Sequence, residues 1–339
     1  MDLPATITQT ARASRLFITG AAGFVGINLL KHAATAGSQV IALTRREPDE
    51  TSQAFLAELA SHVTWCFGDV SDASGLRELF LRHKPTHVLH AAALTGSLET
   101  EKHDPRHMLE VNLLGTLNVL EAAREVGAKR VVFVSSSGLY GAQPATPALT
   151  EDSPLHIEGL YTIAKQASEH LCNRFASLHK LDVVTGRLGT TYGPMERPTR
   201  SRQRMSAIYQ AVTASLDKQP LTVIGAEIAR DFCHVDDISH AYLHLLFTET
   251  LNHSCYNVAA AQAEPLSTAL KALSNSYGLT WEQDPTDDTT RQHLVQMPEQ
   301  ARASLDLSRL QTDTSWTPYF DLATGVQAYA AWRDAHLGN

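Results

Sequence analysis

Through the first 190 residues, short β-branched runs alternate with longer amphipathic stretches: RLFIT, SQVIALT, HVTWCF, THVLHAA, RVVFVSS and LDVVTGRL each border a helical segment. That alternation leaves few folds open, because strands joined through helices run parallel and a parallel sheet needs helices on both faces. The expected class is α/β, a doubly wound parallel sheet with a smaller mixed lobe after it. Past about residue 190 the regularity stops: a loop rich in Pro and Arg (GPMERPTRSRQR) leads to a helix, a short LTVI strand and then shorter mixed elements. The chain is 339 residues long, which suits two units better than one. We expect an N-terminal extension over 1–14, a first domain over 15–190, and a lobe over 191–339 that can send segments back to the first domain.

Charge and cysteine content narrow the partners. With 28 Lys and Arg against 36 Asp and Glu, the net charge is −8, which gives no electrostatic basis for general nucleic-acid binding. Cys66, Cys172, Cys233 and Cys255 form no Cys-x-x-Cys pair, so neither a zinc ribbon nor a disulfide framework is expected. No apolar run approaches the roughly 18 residues of a spanning helix, and the start MDLPATITQTARAS lacks the apolar core of a signal peptide. A cytoplasmic protein without a membrane partner is expected.

The first predicted strand runs straight into Gly20-Ala-Ala-Gly23-Phe-Val-Gly26 and then into an apolar helix. In that context Gly20 permits a tight turn, Gly23 lets backbone approach a pyrophosphate, and Gly26 allows close helix packing, with the helix N-terminus supplying positive charge. This marks 15–190 as a dinucleotide-binding domain. Phe24 and Val25 belong to the same cradle. About 18 residues beyond Gly26, where a carboxylate would accept from the adenosine ribose, stand Thr44-Arg45-Arg46. Two guanidiniums there favour a 2′-phosphate, hence NADP over NAD.

Tyr161 and Lys165 lie four apart at the head of an apolar helix, 21 residues after Tyr140 in the run Ser135-Ser136-Ser137-Gly-Leu-Tyr140. A spacing of four puts both on one helical face. The ammonium is expected to lower the phenol's pKa so that it serves as general acid or base, with a serine hydroxyl at the sheet edge holding the substrate oxygen.

With these segments together the chain resembles an extended short-chain dehydrogenase/reductase of the NAD-dependent epimerase/dehydratase family, whose best-known members act on nucleotide sugars. The matching stretches are TGAAGFVG, GDV from Gly68, HAAA from His90, NLLGTLNVLEAA from Asn112, SSSGLYG, YTIAK, RLGTTYGP from Arg187 and RDFCHVDD from Arg230, in family order over 15 to about 260. The resemblance implies a triad of Ser136, Tyr161 and Lys165, with Asn112 supporting the lysine. It implies Asp69 and Val70 beside the adenine, Ala91, Ala92 and Ala93 along the middle of the cofactor, and Leu188 at the nicotinamide, with Ser135 also at the cofactor. Thr95, Ser136, Ser137, Thr190 and Arg230 are the implied substrate contacts. It also implies a homodimer through helices at about 105–126 and 160–179, and the first of these has an apolar surface from Met108 to Ala123 too broad for one solvated side.

Two departures shape the expected reaction. Family dehydratases carry Asp-Glu after the catalytic hydroxyl, whereas this chain has Ser137-Gly138, so water elimination is not expected. Epimerases commonly carry Asn where this chain has Thr190. The expectation is therefore an NAD(P)-dependent oxidoreductase moving a hydride to or from a carbonyl or alcohol carbon of an anionic substrate: a sugar acid, a sugar or another small carbonyl compound. The alternatives are a nucleotide-sugar 4-epimerase with tightly bound NAD and a non-catalytic dinucleotide-binding sensor. An arginine cluster, Arg197, Arg200, Arg202 and Arg204, is a further anion-binding candidate. His240 and His244 stand one turn apart beside Asp236 and Asp237, and no metal is assigned to them.

Overall fold

The computed structural model of the chain describes residues 3–95, 98–143, 147–199, 205–284 and 294–337. Its first half contains β1 (Arg15–Thr19), β2 (Gln39–Thr44), β3 (Val63–Phe67), β4 (His87–His90), β5 (Arg130–Ser136) and β6 (Val183–Leu188). Between and before them lie α1 (Ala5–Arg12), α2 (Phe24–Thr35), α3 (Glu50–Phe55), α4 (Ala73–His83), α5 (Leu98–His103), α6 (Pro105–Leu109), α7 (Gly115–Glu125) and α8 (Leu160–His179). The second half adds β7 (Thr190–Tyr192), α9 (Ala207–Leu216), β8 (Leu221–Ile224), β9 (Ala229–His234), α10 (Val235–Phe247), β10 (Cys255–Val258), β11 (Ala263–Pro265), α11 (Leu266–Tyr277), β12 (Trp281–Gln283), β13 (Leu294–Gln296), α12 (Ser308–Thr314) and α13 (Leu322–Leu337).

Among the described residues seven strands form one sheet in the order β10-β6-β5-β4-β1-β2-β3, every neighbour parallel. This is the doubly wound architecture that the alternating pattern predicts. The central strands are apolar almost throughout: β1 buries Leu16 to Thr19, and β5 buries Arg130 to Ser135. Strands covered on both faces read as continuous apolar runs. The order reverses between β1 and β4, and there the loops leaving the strands' C-terminal ends diverge to open a crevice.

Three segments from beyond residue 190 join this half. Strand β10 extends the sheet beside β6, α10 lies against α2 with both helices in the same apolar core, and α12 packs on β10 with Leu310 in that core. The remaining elements build a second core around Tyr192, Ile208, Val223, Leu270 and Tyr329, with two small sheets in the orders β11-β9-β7 and β12-β8-β13. Helix α1 buries Ile7 and Ala11, one turn apart on one face, and packs on α10.

Candidate active site

The turn after β1 is built as a cradle. Gly20 has φ +67° and a Cβ on it would come 2.8 Å from the Ala92 backbone, while a Cβ on Gly26 would lie 2.1 Å from the Gly20 carbonyl oxygen. Only glycine accommodates that approach. The Gly23 amide donates to the Gly20 carbonyl at 2.9 Å, and Gly23 caps α2 without a side chain, so the positive end of the helix faces the crevice. Gly20, Gly23, Phe24, Val25 and Gly26 all line an open cleft of about 880 Å³, joined by Ala91, Ala93 and Thr95 from the exit of β4, Ser135 from β5, Tyr161 and Lys165 from α8, and Leu188 from β6. Backbone open enough for a pyrophosphate and walls from four strand ends fit a dinucleotide.

A chain of side chains holds the exit of β4 in place. The Ala92 amide donates to Thr19 Oγ1 at 3.0 Å, Thr19 Oγ1 bonds His90 Nδ1 at 2.7 Å, and His90 Nε2 bonds Thr116 Oγ1 at 3.1 Å. Burial, with Lys165 adding to it, pushes His90 down to about 3, so the ring is neutral and links two hydroxyls. Asn112 continues the fixation: its Oδ1 accepts from the Leu94 amide at 2.9 Å and its Nδ2 donates to the Leu94 carbonyl at 3.0 Å. It lies in a π turn, Glu110–Leu114, and its own carbonyl accepts from the hydroxyls of Thr116 and Ser168. Asn112 thus bonds the cleft wall, whereas the Lys165 ammonium bonds the Val134 carbonyl at 2.7 Å.

Tyr161 and Lys165 sit one turn apart on α8, and the Tyr161 phenol lies close to the Ser136 side chain. Lys165 Nζ lies 5.9 Å from the centre of the Tyr161 ring and 4.5 Å from that of Phe133. The expected lowering of the phenol is not what the geometry produces. Burial pushes Tyr161 up to about 12, with the nearby Ser136 side chain acting against it. The same burial pulls Lys165 down to about 8 against the pull of Cys172 and Glu169. A dry pocket disfavours both charged forms, so at neutral pH the pair is a phenol beside an ammonium.

Other expected contacts lie outside the cleft lining. Thr44 is buried and its Oγ1 bonds the Arg46 carbonyl at 3.0 Å, while the side chains of Arg45 and Arg46 are exposed at the end of β2. Asp69 accepts from the amide and hydroxyl of Ser71, and Val70 is buried. Ser137 is buried behind Ser136, and Thr190 is half-buried in β7 opposite Phe232.

The cleft also takes residues not named as contacts: Ala22, Ile27, Val134, Met195 and Thr199, with Arg197 from the arginine cluster. Asn28 of α2 donates to the Pro194 carbonyl at 2.9 Å, and Arg197 Nη2 donates to Asp49 Oδ1 at 2.9 Å and Ser52 Oγ at 2.8 Å. The loop after β7 is thereby clasped to the start of α3. Arg200, Arg202 and Arg204 lie outside the described residues. His240 meets His32 edge to face at 4.8 Å, and His32 bonds Asp236 at 2.9 Å.

Arg230 is buried in β9 beside a second arginine, Arg302, whose Nε donates to the Gly141 carbonyl at 2.9 Å, just past the Ser136–Tyr140 turn. Among the described residues neither guanidinium has an acidic partner. Burial and the neighbouring Arg302 charge together bring Arg230 down to about 10. Two like charges in a partly dry setting are a candidate anion site. Arg302 stands in a loop without regular structure, and its bonds to the Gly141 and Ala229 carbonyls fix its place.

A family model described as the NAD dependent epimerase/dehydratase family matches residues 16–259. The chain is similar to UDP-glucose 4-epimerase of Mycolicibacterium smegmatis, at 27% identity over 92% of this chain and 96% of the relative. It is similar to GDP-6-deoxy-D-mannose reductase of Pseudomonas aeruginosa, at 28% identity over 93% and 95%. Among solved structures, the UDP-glucose 4-epimerase of Thermus thermophilus in complex with NAD superposes with a TM-score of 0.78 at 26% identity, covering 94% of this chain and 98% of that one.

Proposed function

The chain belongs to the NAD dependent epimerase/dehydratase family, and from that premise we propose that it is an NAD(P)-dependent oxidoreductase acting on a sugar that carries a nucleoside diphosphate. The observation that carries the substrate class is the Arg230 and Arg302 pair, a buried and a half-buried cation beside the turn that follows Ser136. A diphosphate supplies the two negative charges such a pair requires, and the named relatives act on sugars of that kind.

The division of labour follows from the geometry. The bound nicotinamide supplies or accepts the hydride; the glycine cradle and Ala91 to Ala93 hold the cofactor. Ser136 positions the substrate oxygen, and Tyr161 Oη, a phenol at neutral pH, gives that oxygen its proton in the reductive direction. Lys165 offsets the charge left on the phenolate. Ser137 and Gly138 offer no acid or base after Ser136, which disfavours elimination of water.

The finer assignments follow from exposed features. Arg45 and Arg46, exposed at the end of β2 where a ribose-binding carboxylate would stand, support NADP over NAD; calorimetry showing NAD bound equally well would overturn this. Leu114 is 48% exposed and Ile163, on the adjacent α8, 49%, which supports a homodimer through these helices. Among the described residues no helix is long and apolar enough to cross a membrane, and cytoplasmic work is the reading we adopt, testable by fractionation.

A second reading, 4-epimerisation with retained cofactor, draws on the Arg197 to Asp49 clasp beside the cradle. Denaturing the purified protein separates the two readings: stoichiometric cofactor released supports the epimerase, and its absence supports an exchanging reductase.

The substrate class is tested by calorimetry with UDP, dTDP and GDP on cofactor-loaded protein. Charge-assisted bonds contribute roughly 1.5–3 kcal/mol each, so Arg230→Ala and Arg302→Ala should each weaken the best nucleotide about ten- to a hundredfold with cofactor affinity unchanged. A protein that binds none of the three, or binds one equally well without Arg230, contradicts the proposal.

A further inference from the structure

Three residues of α8 face three consecutive residues of β5. Tyr161 lies close to the Ser136 side chain, Lys165 bonds the Val134 carbonyl, and Glu169, one further turn along, accepts from Ser135 Oγ at 2.6 Å. Glu169 is buried, as is Arg187 of β6, which donates to it through Nε at 3.1 Å and Nη2 at 2.8 Å. Ser135 and Arg187 are register partners in the sheet, and so are the next pair, Ser136 and Leu188. One carboxylate therefore sits over the pair immediately before the two strand-end residues, of which Leu188 lines the cleft. Arg187 carries the fixation further, donating through Nη1 to the Tyr140 hydroxyl at 3.0 Å, and Tyr140 donates to Asn257 Oδ1 at 2.7 Å.

We propose that Glu169 is a positioning residue for proton transfer: by holding Ser135 and Arg187 it locks the ends of β5 and β6 against Tyr161 and Lys165, and its charge sustains the Lys165 ammonium. The proposal rests on the reading of Tyr161 and Lys165 given above.

The charges around Lys165 leave this role to Glu169. On its own helix Cys172 is held as a thiol by burial, which pushes it up to about 12, and Tyr161 stays a phenol. From β4, His90 is neutral. From β6, Arg187 is a cation whose field Glu169 absorbs. Neutralising Glu169 removes the anion and uncovers Arg187, and both changes disfavour the ammonium.

The Lys165 side chain can be titrated directly by NMR of ¹³C-lysine-labelled full-length protein, the signal assigned by its loss in Lys165→Met. In Glu169→Gln the Lys165 midpoint should fall by about one pH unit, and the alkaline limb of turnover should move to lower pH with it. Glu169→Asp keeps the charge but draws it back by one methylene from Ser135, so its midpoint should stay near the natural one while kcat falls about tenfold and KM changes little. Turnover is read with whichever of UDP-glucose, dTDP-glucose and GDP-mannose reacts fastest. A folded Glu169→Gln protein with an unmoved midpoint overturns the proposal; if that variant does not fold, a Glu169→Asp protein with natural kcat does so. Loss of the underlying reading looks different, because Tyr161→Phe would then turn over normally whatever happens at Glu169.

Discussion

Lys165 is a cation with 2% exposure, and its value of about 8 lies below the ordinary 10.5. Between those values the unfolded chain binds the proton more tightly than the folded one, so this group's contribution to stability rises with pH through that window. At pH 7 the whole cost of burying the ammonium is present. Lys165→Met should therefore abolish turnover yet raise Tm at pH 7 by about a few degrees, and the gain should shrink by pH 10; melts showing a lower Tm at pH 7 would mean that the bond to Val134 outweighs desolvation. The placing of Tyr161 and Lys165 on one helix and of Ser136 at a strand end was legible, because helix spacing and a strand end are local features. Their protonation was not, because the spacing of a phenol and an ammonium says nothing of how dry the pocket is. Glu169 was legible only as a carboxylate one turn beyond Lys165, and its partners come from two other strands.

At the scale of elements, strand positions follow the β-branched runs closely: RLFIT, RVVFVSS and LTVI appear as β1, β5 and β8 at the same residues. Parallel strands buried on both faces leave a continuous apolar run, the strongest local signal available. The N-terminal helix α1 left a weaker mark, since only Ile7 and Ala11 point inward and the polar residues around them read as an extension. The segment from Met108 to Ala123 reads as a helix buried on several sides, and the structure resolves it into α6, a π turn at Glu110–Leu114 and α7. Its apolar surface is only partly used within one chain, with Leu114 half exposed, as is Ile163 of α8. If these two helices pair between copies, Ile163→Lys with Leu114→Lys should convert a dimer of about twice the chain mass into a monomer, because burying unpaired ammonium groups in such an interface is costly. Light scattering that finds the natural protein monomeric would remove the proposal.

Across the whole molecule, the function depends on parts that are distant in the chain. The proposed cofactor cradle lies within residues 20–26, the proposed proton-transfer pair at 161 and 165, and the proposed anion site at Arg230 of β9 and Arg302, more than 70 residues further on. Return of α10 and β10 to the first half, through the packing on α2 and pairing with β6, brings the second core up to the crevice. Long-range placement of this kind has no signature in a local window, which explains why Arg230 was found by its motif and Arg302 was not. The central claim is that these parts meet to form one oxidoreductase cleft, with Tyr161 as proton donor. It is tested most directly by following nicotinamide absorbance under saturating cofactor and the best nucleotide sugar, for the natural protein and for Tyr161→Phe. The account predicts an intact fold, unchanged cofactor binding and turnover lowered at least about 100-fold; turnover within a few fold of the natural protein would contradict it.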